Sequence, residues 1–213
     1  MSTIIERISE ELQNGKMKIV KELIQEALDH GESAKAILEE GLLAGMNVIA
    51  VKFKNNEVYV PEVLIAARAM NSGTDILKPA LAESGIKPIG RVALGTVKGD
   101  LHDIGKNLVR MMLEGKGIEV IDLGVDVSAE KFYEAYEKED VQIIACSALL
   151  TTTMNEMKNV VDYFVEKGAR DKVAFMVGGA PITESFCKAI GADYYTADAA
   201  SAADVAKQVL TNA

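Results

Sequence analysis

The chain is poor in the residues that build disulfide frameworks or zinc sites: 213 residues contain two cysteines and two histidines. Cys146 and Cys187 are too few to staple a chain of this length, so both are expected as free thiols acting as small hydrophobes. No His/Cys spacing suits zinc. There is no dense Lys/Arg cluster, and the net charge is −9. That balance argues against nucleic acid or an anionic membrane surface as a main partner and leaves an acidic protein that docks on other proteins. No window approaches 18 consecutive apolar residues, and the start, Met1-Ser2-Thr3-Ile4-Ile5-Glu6-Arg7, lacks the apolar core of a secretory signal. The expected location is the cytoplasm. Length is limiting too, because a (β/α)₈ barrel typically needs about 250 residues and none fits beside a second domain. What is present is 49% hydrophobic and 26% charged residues, the balance of a globular chain with a sizeable core.

Two patterns divide the chain. Up to about residue 84, apolar residues recur at helical spacing: Ile4, Ile5, Ile8 and Leu12, then Ile19, Leu23, Ile24, Ala27 and Leu28. Breaks fall at Asn14-Gly15, His30-Gly31 and Lys54-Asn55-Asn56. Ser33 is placed to cap a third helix running through Ile49, and Pro61 suits the first turn of a fourth. A four-helix bundle is expected over 1–86. After the linker-like Gly85-Ile86-Lys87-Pro88-Ile89-Gly90, short apolar runs alternate with amphipathic stretches over 90–213. The runs are Arg91–Thr96, Glu119–Asp122, Val141–Ser147, Val173–Val177 and Tyr194-Tyr195. The helices between and after them would span Ile104–Glu114, Ala129–Glu139, Thr153–Lys167, Thr183–Ala189 and Ala199–Thr211. Strand–helix alternation requires parallel pairing through crossovers. The expected α/β fold is a five-stranded, doubly wound, flavodoxin-like (Rossmann-like) sheet, whose ligand crevice lies at the carboxyl ends of its strands.

The first strand runs into Gly95-Thr96-Val97-Lys98-Gly99-Asp100-Leu101-His102-Asp103-Ile104-Gly105-Lys106-Asn107. No Gly-Lys-Ser/Thr closes this loop and no G-x-G-x-x-G opens it, so phosphate cradling is a poor reading. Asp100 stands two residues before His102. A carboxylate on one imidazole nitrogen fixes the tautomer and raises the basicity of the other, which prepares a histidine to bind a metal. The plainer alternative is a surface histidine near an acid. One imidazole is a weak metal site, so any metal at His102 calls for a cofactor that brings the remaining ligands.

These residues resemble the cobalamin-binding domain of methyltransferases and mutases, whose signature is D-x-H-x-x-G, then S-x-L, then G-G. Here Asp100, His102 and Gly105 are followed after 41 residues by Ser147-Ala148-Leu149, and after 28 more by Gly178-Gly179. The resemblance implies that His102 displaces the cofactor's dimethylbenzimidazole to become the lower ligand of cobalt. Asp100 would bond its far nitrogen, and Thr153 would stand as third member of the relay. Leu101, Asp103, Ile104 and Gly105 would belong to the same cofactor-binding loop. With Gly105, the residues Ser147, Leu149, Gly178 and Gly179 would line the slot for the displaced base, Ser147 bonding it and Thr151 reaching the corrin edge. A flat heterocycle between strand ends needs close backbone approach, which suits Gly178 and Gly179, although an ordinary strand-end turn would also use them.

The helical part carries a second resemblance. Tyr59-Val60-Pro61-Glu62-Val63 with Ala66-Ala67-Arg68-Ala69-Met70 is similar to the helix that caps the upper corrin face in methionine synthase and in methanogenic or acetogenic corrinoid proteins. Tyr59, Val63, Ala66 and Met70 share one helix face. Bundle packing explains most of such a stripe, and Tyr59 is the member singled out as cap. A cap without a barrel or a DNA-binding module implies a stand-alone carrier of methyl groups, cycling between cobalt(I) and methyl-cobalt(III). Its implied partners are a substrate-specific methyltransferase, a second methyltransferase of tetrahydrofolate or coenzyme M type, and a reductive activase. The Gly85–Gly90 linker would act as a hinge. The rivals are a cobalamin storage, interaction or sensory module and, less favoured, a receiver-like domain using Asp100 or Asp103.

Overall fold

A computed structural model describes residues 3–83 and 87–212. The chain forms two compact units, a helical one reaching to Pro88 and an α/β one holding Ile89–Glu114 and Ile118 onward. Of the expected hinge, Gly85 and Ile86 lie outside the described residues.

In the helical unit, α1 (Thr3–Gln13) buries Ile5, Ile8 and Leu12, and α2 (Met17–Asp29) buries Val20, Leu23, Ile24 and Ala27. These are the i, i+3/i+4 stripes of amphipathic helices. At the end of α2, Gly31 adopts a φ of +84°, and the N–H of Glu32 closes onto the carbonyl of Ala27 at 3.0 Å. A left-handed residue just past the last turn is the usual helix stop, and glycine fills it without strain. Ser33 then caps α3 (Ala34–Ala36), its hydroxyl accepting the Ala36 N–H at 3.1 Å. The third helix is not uniform as expected: a π-helical stretch, Ile37–Leu43, joins α3 to α4 (Ala44–Lys54). Gly41 and Gly45 face α1 closely, a Cβ there falling 3.2 Å from Ile8 Cγ2 and 2.9 Å from the Ser9 carbonyl. α5 (Val60–Glu83) carries Pro61 in its first turn, where no intrahelical N–H is needed. Glu62 reaches back to accept the Tyr59 N–H at 3.0 Å, half of a capping box.

The α/β unit runs β1 (Arg91–Val97), α6 (Ile104–Glu114), β2 (Glu119–Val127), α7 (Ala129–Glu139), β3 (Ile143–Ser147), α8 (Asn155–Glu166), β4 (Ala174–Gly178), α9 (Glu184–Ala189), β5 (Tyr194–Tyr195) and α10 (Ala199–Thr211). The strand order is β2-β1-β3-β4-β5, all parallel, which is the flavodoxin-like order. β1, β3 and β4 are near-continuous apolar runs because helices cover both faces of such a sheet. Phe132, Phe164 and Phe175 are fully buried, and Phe164 meets Phe175 edge to face with centroids 5.0 Å apart.

Several boundaries differ from expectation by a residue or more, and two of them bear on the site. β2 continues five residues past Asp122, through a bulge where Gly124 and Asp126 take left-handed φ of +82° and +53°. Its polar, glycine-containing second half carries no apolar run to announce it. α8 starts at Asn155 rather than Thr153, because the preceding residues are spent on a turn in which the Thr153 and Met154 N–H groups both return to the Leu150 carbonyl. The register aligns three strand ends: Thr96 lies beside Ser147, and Ser147 beside Gly178.

Candidate functional site

Asp100 follows the Lys98-Gly99 turn at the end of β1, and its side chain is 0% exposed. Five donors surround its carboxylate. Oδ1 accepts the His102 N–H at 3.1 Å and the His102 ring Nδ1 at 2.7 Å. Oδ2 accepts the N–H groups of Leu149 at 2.8 Å and Leu150 at 3.3 Å, and the Thr153 hydroxyl at 2.7 Å. Burial by itself would raise the pKa of this carboxyl, but the Leu149 N–H, His102 and Thr153 outweigh it and hold the group well below the ordinary carboxylate range. It is therefore ionised at neutral pH and can only accept.

The consequence for His102 is chemical. An ionised Asp100 can pair only with Nδ1–H, and in the neutral ring that leaves the lone pair on Nε2, where it can ligate. The His102 side chain is 49% exposed. Around it stand apolar side chains that folding leaves in solvent: Leu101 at 72%, Ile104 at 74%, and the exposed Leu149 and Leu150. Asp103 turns instead to its own helix, accepting the Asn107 side-chain amide at 3.1 Å.

The glycines of the motif differ in what they do. A Cβ on Gly179, at φ +131°, would stand 1.8 Å from the Ala148 carbonyl oxygen, so the β3 and β4 ends require glycine there for their own backbone approach. Gly178, at the end of β4, lies 3.3 Å by the same measure from the Thr196 carbonyl. Gly105, in the first turn of α6, has nothing within 4 Å, and no contact within the chain asks for its missing side chain. Ser147 closes β3, and Thr151 is exposed in the following turn.

The α/β unit thus gathers Asp100, His102 and Thr153 into one hydrogen-bonded group, with Leu149 joining through its backbone. Tyr59 and Met70 belong to the helical unit. There Val63, Ala66 and Met70 are buried, and of that stripe only Tyr59 is exposed.

Two residues of this site were not singled out from sequence. The Thr96 hydroxyl donates to the His102 carbonyl at 2.8 Å. Asp126, at the β2 bulge, accepts the Gly99 N–H at 2.7 Å and donates its own N–H to the Asp100 carbonyl at 3.0 Å. Thr96 reads as one more strand residue. The polar break Gly124-Val125-Asp126 was the only signal for Asp126.

Among the described residues, no three His, Cys, Asp or Glu side chains cluster to hold a metal ion, and no helix is long and apolar enough to cross a membrane. One half-exposed imidazole paired to Asp100, exposed apolar side chains near it and open space over Gly105 fit a flat macrocycle that carries its own metal and needs a single protein ligand.

Comparison with known proteins agrees. Residues 90–206 match a B12 binding domain family, and residues 4–78 match a second model of a B12 binding domain. The chain is 38% identical to dimethylamine corrinoid protein 3 of Methanosarcina acetivorans, over 97% of this chain and 98% of that one. It is 39% identical to the trimethylamine corrinoid protein of Methanosarcina barkeri, over 97% and 96% respectively. Among solved structures, the methanol:cobalamin methyltransferase complex MtaBC of Methanosarcina barkeri matches with a TM-score of 0.90 and 31% identity, covering 100% of this chain and 81% of that one. The chain therefore belongs to the B12-binding family, as a corrinoid protein of the methyltransferase type whose cofactor is cobalamin.

Proposed function

We propose that the chain is a methyl carrier that holds cobalamin with His102 as the lower ligand of cobalt and the cofactor's own dimethylbenzimidazole displaced. It would pass a methyl group between a substrate-specific methyltransferase and a second methyltransferase using tetrahydrofolate or a thiol such as coenzyme M. A reductive activase would return it to service. The observation that carries this reading is the Asp100–His102 pair at 2.7 Å, with the ring half exposed and its second nitrogen unclaimed. The methylamine and methanol systems named for its relatives support the methyltransferase partner.

When bound, cobalamin supplies a cobalt centre able to accept and release a methyl group. The chain's residues do the rest. Asp100 holds the Nδ1 proton and orients the ring, while Thr153 and the Leu149 N–H keep Asp100 ionised and fixed. Leu101, Ile104 and Leu149 offer apolar contact, and Asp103 borders the same loop. Gly105, Ser147, Gly178 and Gly179 would line the slot for the displaced base, Ser147 would bond it, and Thr151 would reach the corrin edge. On the helical unit, Tyr59, which is exposed, and Met70, which is buried, are the residues proposed for cofactor binding.

Reconstitution with cobalamin tests the reading. The wild type is expected to give a spectrum with the benzimidazole off cobalt and an imidazole on it, and His102→Ala to keep the fold while losing the imidazole signature. A wild type that refuses cobalamin, or holds it with the benzimidazole still bound, overturns the proposal. Methylcobalamin-loaded protein mixed with tetrahydrofolate and a candidate methyltransferase separates a carrier from a storage module, since only a carrier loses its methyl group.

A further inference from the structure

We infer that Thr96 is a positioning residue of this site, clamping the backbone of His102 and so fixing where the imidazole stands; the inference rests on His102 being the cobalt ligand. Thr96 sits at the carboxyl end of β1, fully buried and in register with Ser147 on β3. A buried hydroxyl must find a partner, and this one donates to the carbonyl of His102 at 2.8 Å rather than to a strand neighbour. The other side of the same residue is held independently, its N–H by Asp100 Oδ1 at 3.1 Å and its ring by the same oxygen at 2.7 Å.

Asp100, itself anchored by Leu149, Leu150 and Thr153 after β3, holds the amide and ring of His102. Thr96 adds a separate tie from the His102 carbonyl to a central strand. Threonine suits the task because its β-branched side chain has few rotamers, so the hydroxyl hydrogen bond has a rigid base. Valine would fill the same space without the donor.

The test uses the full chain with Thr96→Val, Thr96→Ser and Thr96→Cys, the last near serine in size but with a poor donor. Two readouts are taken: amide exchange across residues 100–104 without cofactor, and the imidazole-ligated fraction in the spectrum with cobalamin. Thr96→Val is expected to speed exchange by about tenfold and to lower the imidazole-ligated fraction, with Thr96→Ser restoring both. Should Thr96→Val fail to fold, the Ser and Cys pair reads the same contrast. Wild-type behaviour of Thr96→Val, or equal damage from Ser and Cys variants, overturns the clamp. If the wild type takes up cobalamin without imidazole ligation, the His102 assignment falls, while the exchange data still support or overturn the clamp.

Discussion

At Asp100, five donors converge on one carboxylate that solvent does not reach. Asp100→Ala removes the acceptor of all five, and each donor left buried and unsatisfied costs about 1–3 kcal/mol, although the Thr153 hydroxyl keeps the Leu150 carbonyl at 3.1 Å. The expected loss is at least about 2 kcal/mol by urea unfolding of the cofactor-free chain. Asp100→Asn keeps the shape but must turn an NH₂ toward one set of donors, so it should also destabilise. Gly105 makes the opposite prediction. With no atom within 4 Å of its Cβ position and a place in a helical first turn, Gly105→Ala should leave the empty protein as stable or slightly more so. If the displaced base runs past it, the same change should weaken cobalamin uptake by tenfold or more in equilibrium titration. At this scale the pairing of Asp100 with His102 was legible because the two lie close in the chain, in a motif that resembles a known family's signature. Thr96 and Asp126 were not, because their part depends on which carbonyl or amide folding brings beside them.

Among elements, β2 and α6 carry the least expected chemistry. Lys106 on α6, its side chain 2% exposed, reaches Asp122 on β2 at 2.6 Å, and Arg110 meets the other oxygen of that carboxylate at 2.9 Å. Asp122 also accepts the Gly124 N–H at 3.0 Å, where the bulge begins. The two ends of this pair are not equivalent. Lys106→Met leaves Asp122 with Arg110 and Gly124, and should cost about 1–2 kcal/mol or less. Asp122→Ala leaves a buried ammonium with only Asn107 beside it and should cost about 3–5 kcal/mol. Burial raises the pKa of Asp122, but the Lys106 hydrogen bond, the Gly124 N–H and the charges of Lys106 and Arg110 bring it below its ordinary 3.8. The folded state then binds fewer protons than the unfolded state as acid is added. The contribution is complete above the ordinary carboxylate pKa and disappears as pH falls through the lower folded value. The stability gap between wild type and Asp122→Asn should accordingly shrink between pH 5 and the acid limit, read by denaturant midpoints.

The elements themselves were largely readable. Apolar runs marked β1, β3 and β4 to within a few residues, because buried parallel strands have no polar face to obscure them. The π-helical stretch in the third helix was invisible, since one extra residue per turn merely rotates the apolar stripe that signals a helix. The far half of β2 was missed for a related reason: a bulged edge strand pairs by backbone and spends its side chains on the loop beside it.

For the whole molecule, cofactor and fold are linked by mass action. A ligand bound only by the folded state adds about 2.7 kcal/mol at a hundred times its Kd. The melting temperature of the wild type should therefore climb with cobalamin concentration, and that of His102→Ala should climb less at each concentration, in a thermal-shift series. The net charge of −9 sets a second expectation. Association with a methyltransferase through a basic face should slow as salt is added, because screening shortens the reach of that charge.

One feature of the strand-end loop bears on how quickly such a protein can be loaded. The Asp100 oxygens are saturated by the chain itself, and His102 is tethered at ring, amide and carbonyl before anything docks. If His102 takes the metal as proposed, little disorder in this loop is left to be frozen out, so capture there should carry a small entropic penalty. An emptied molecule would be ready for refilling as soon as it is vacated.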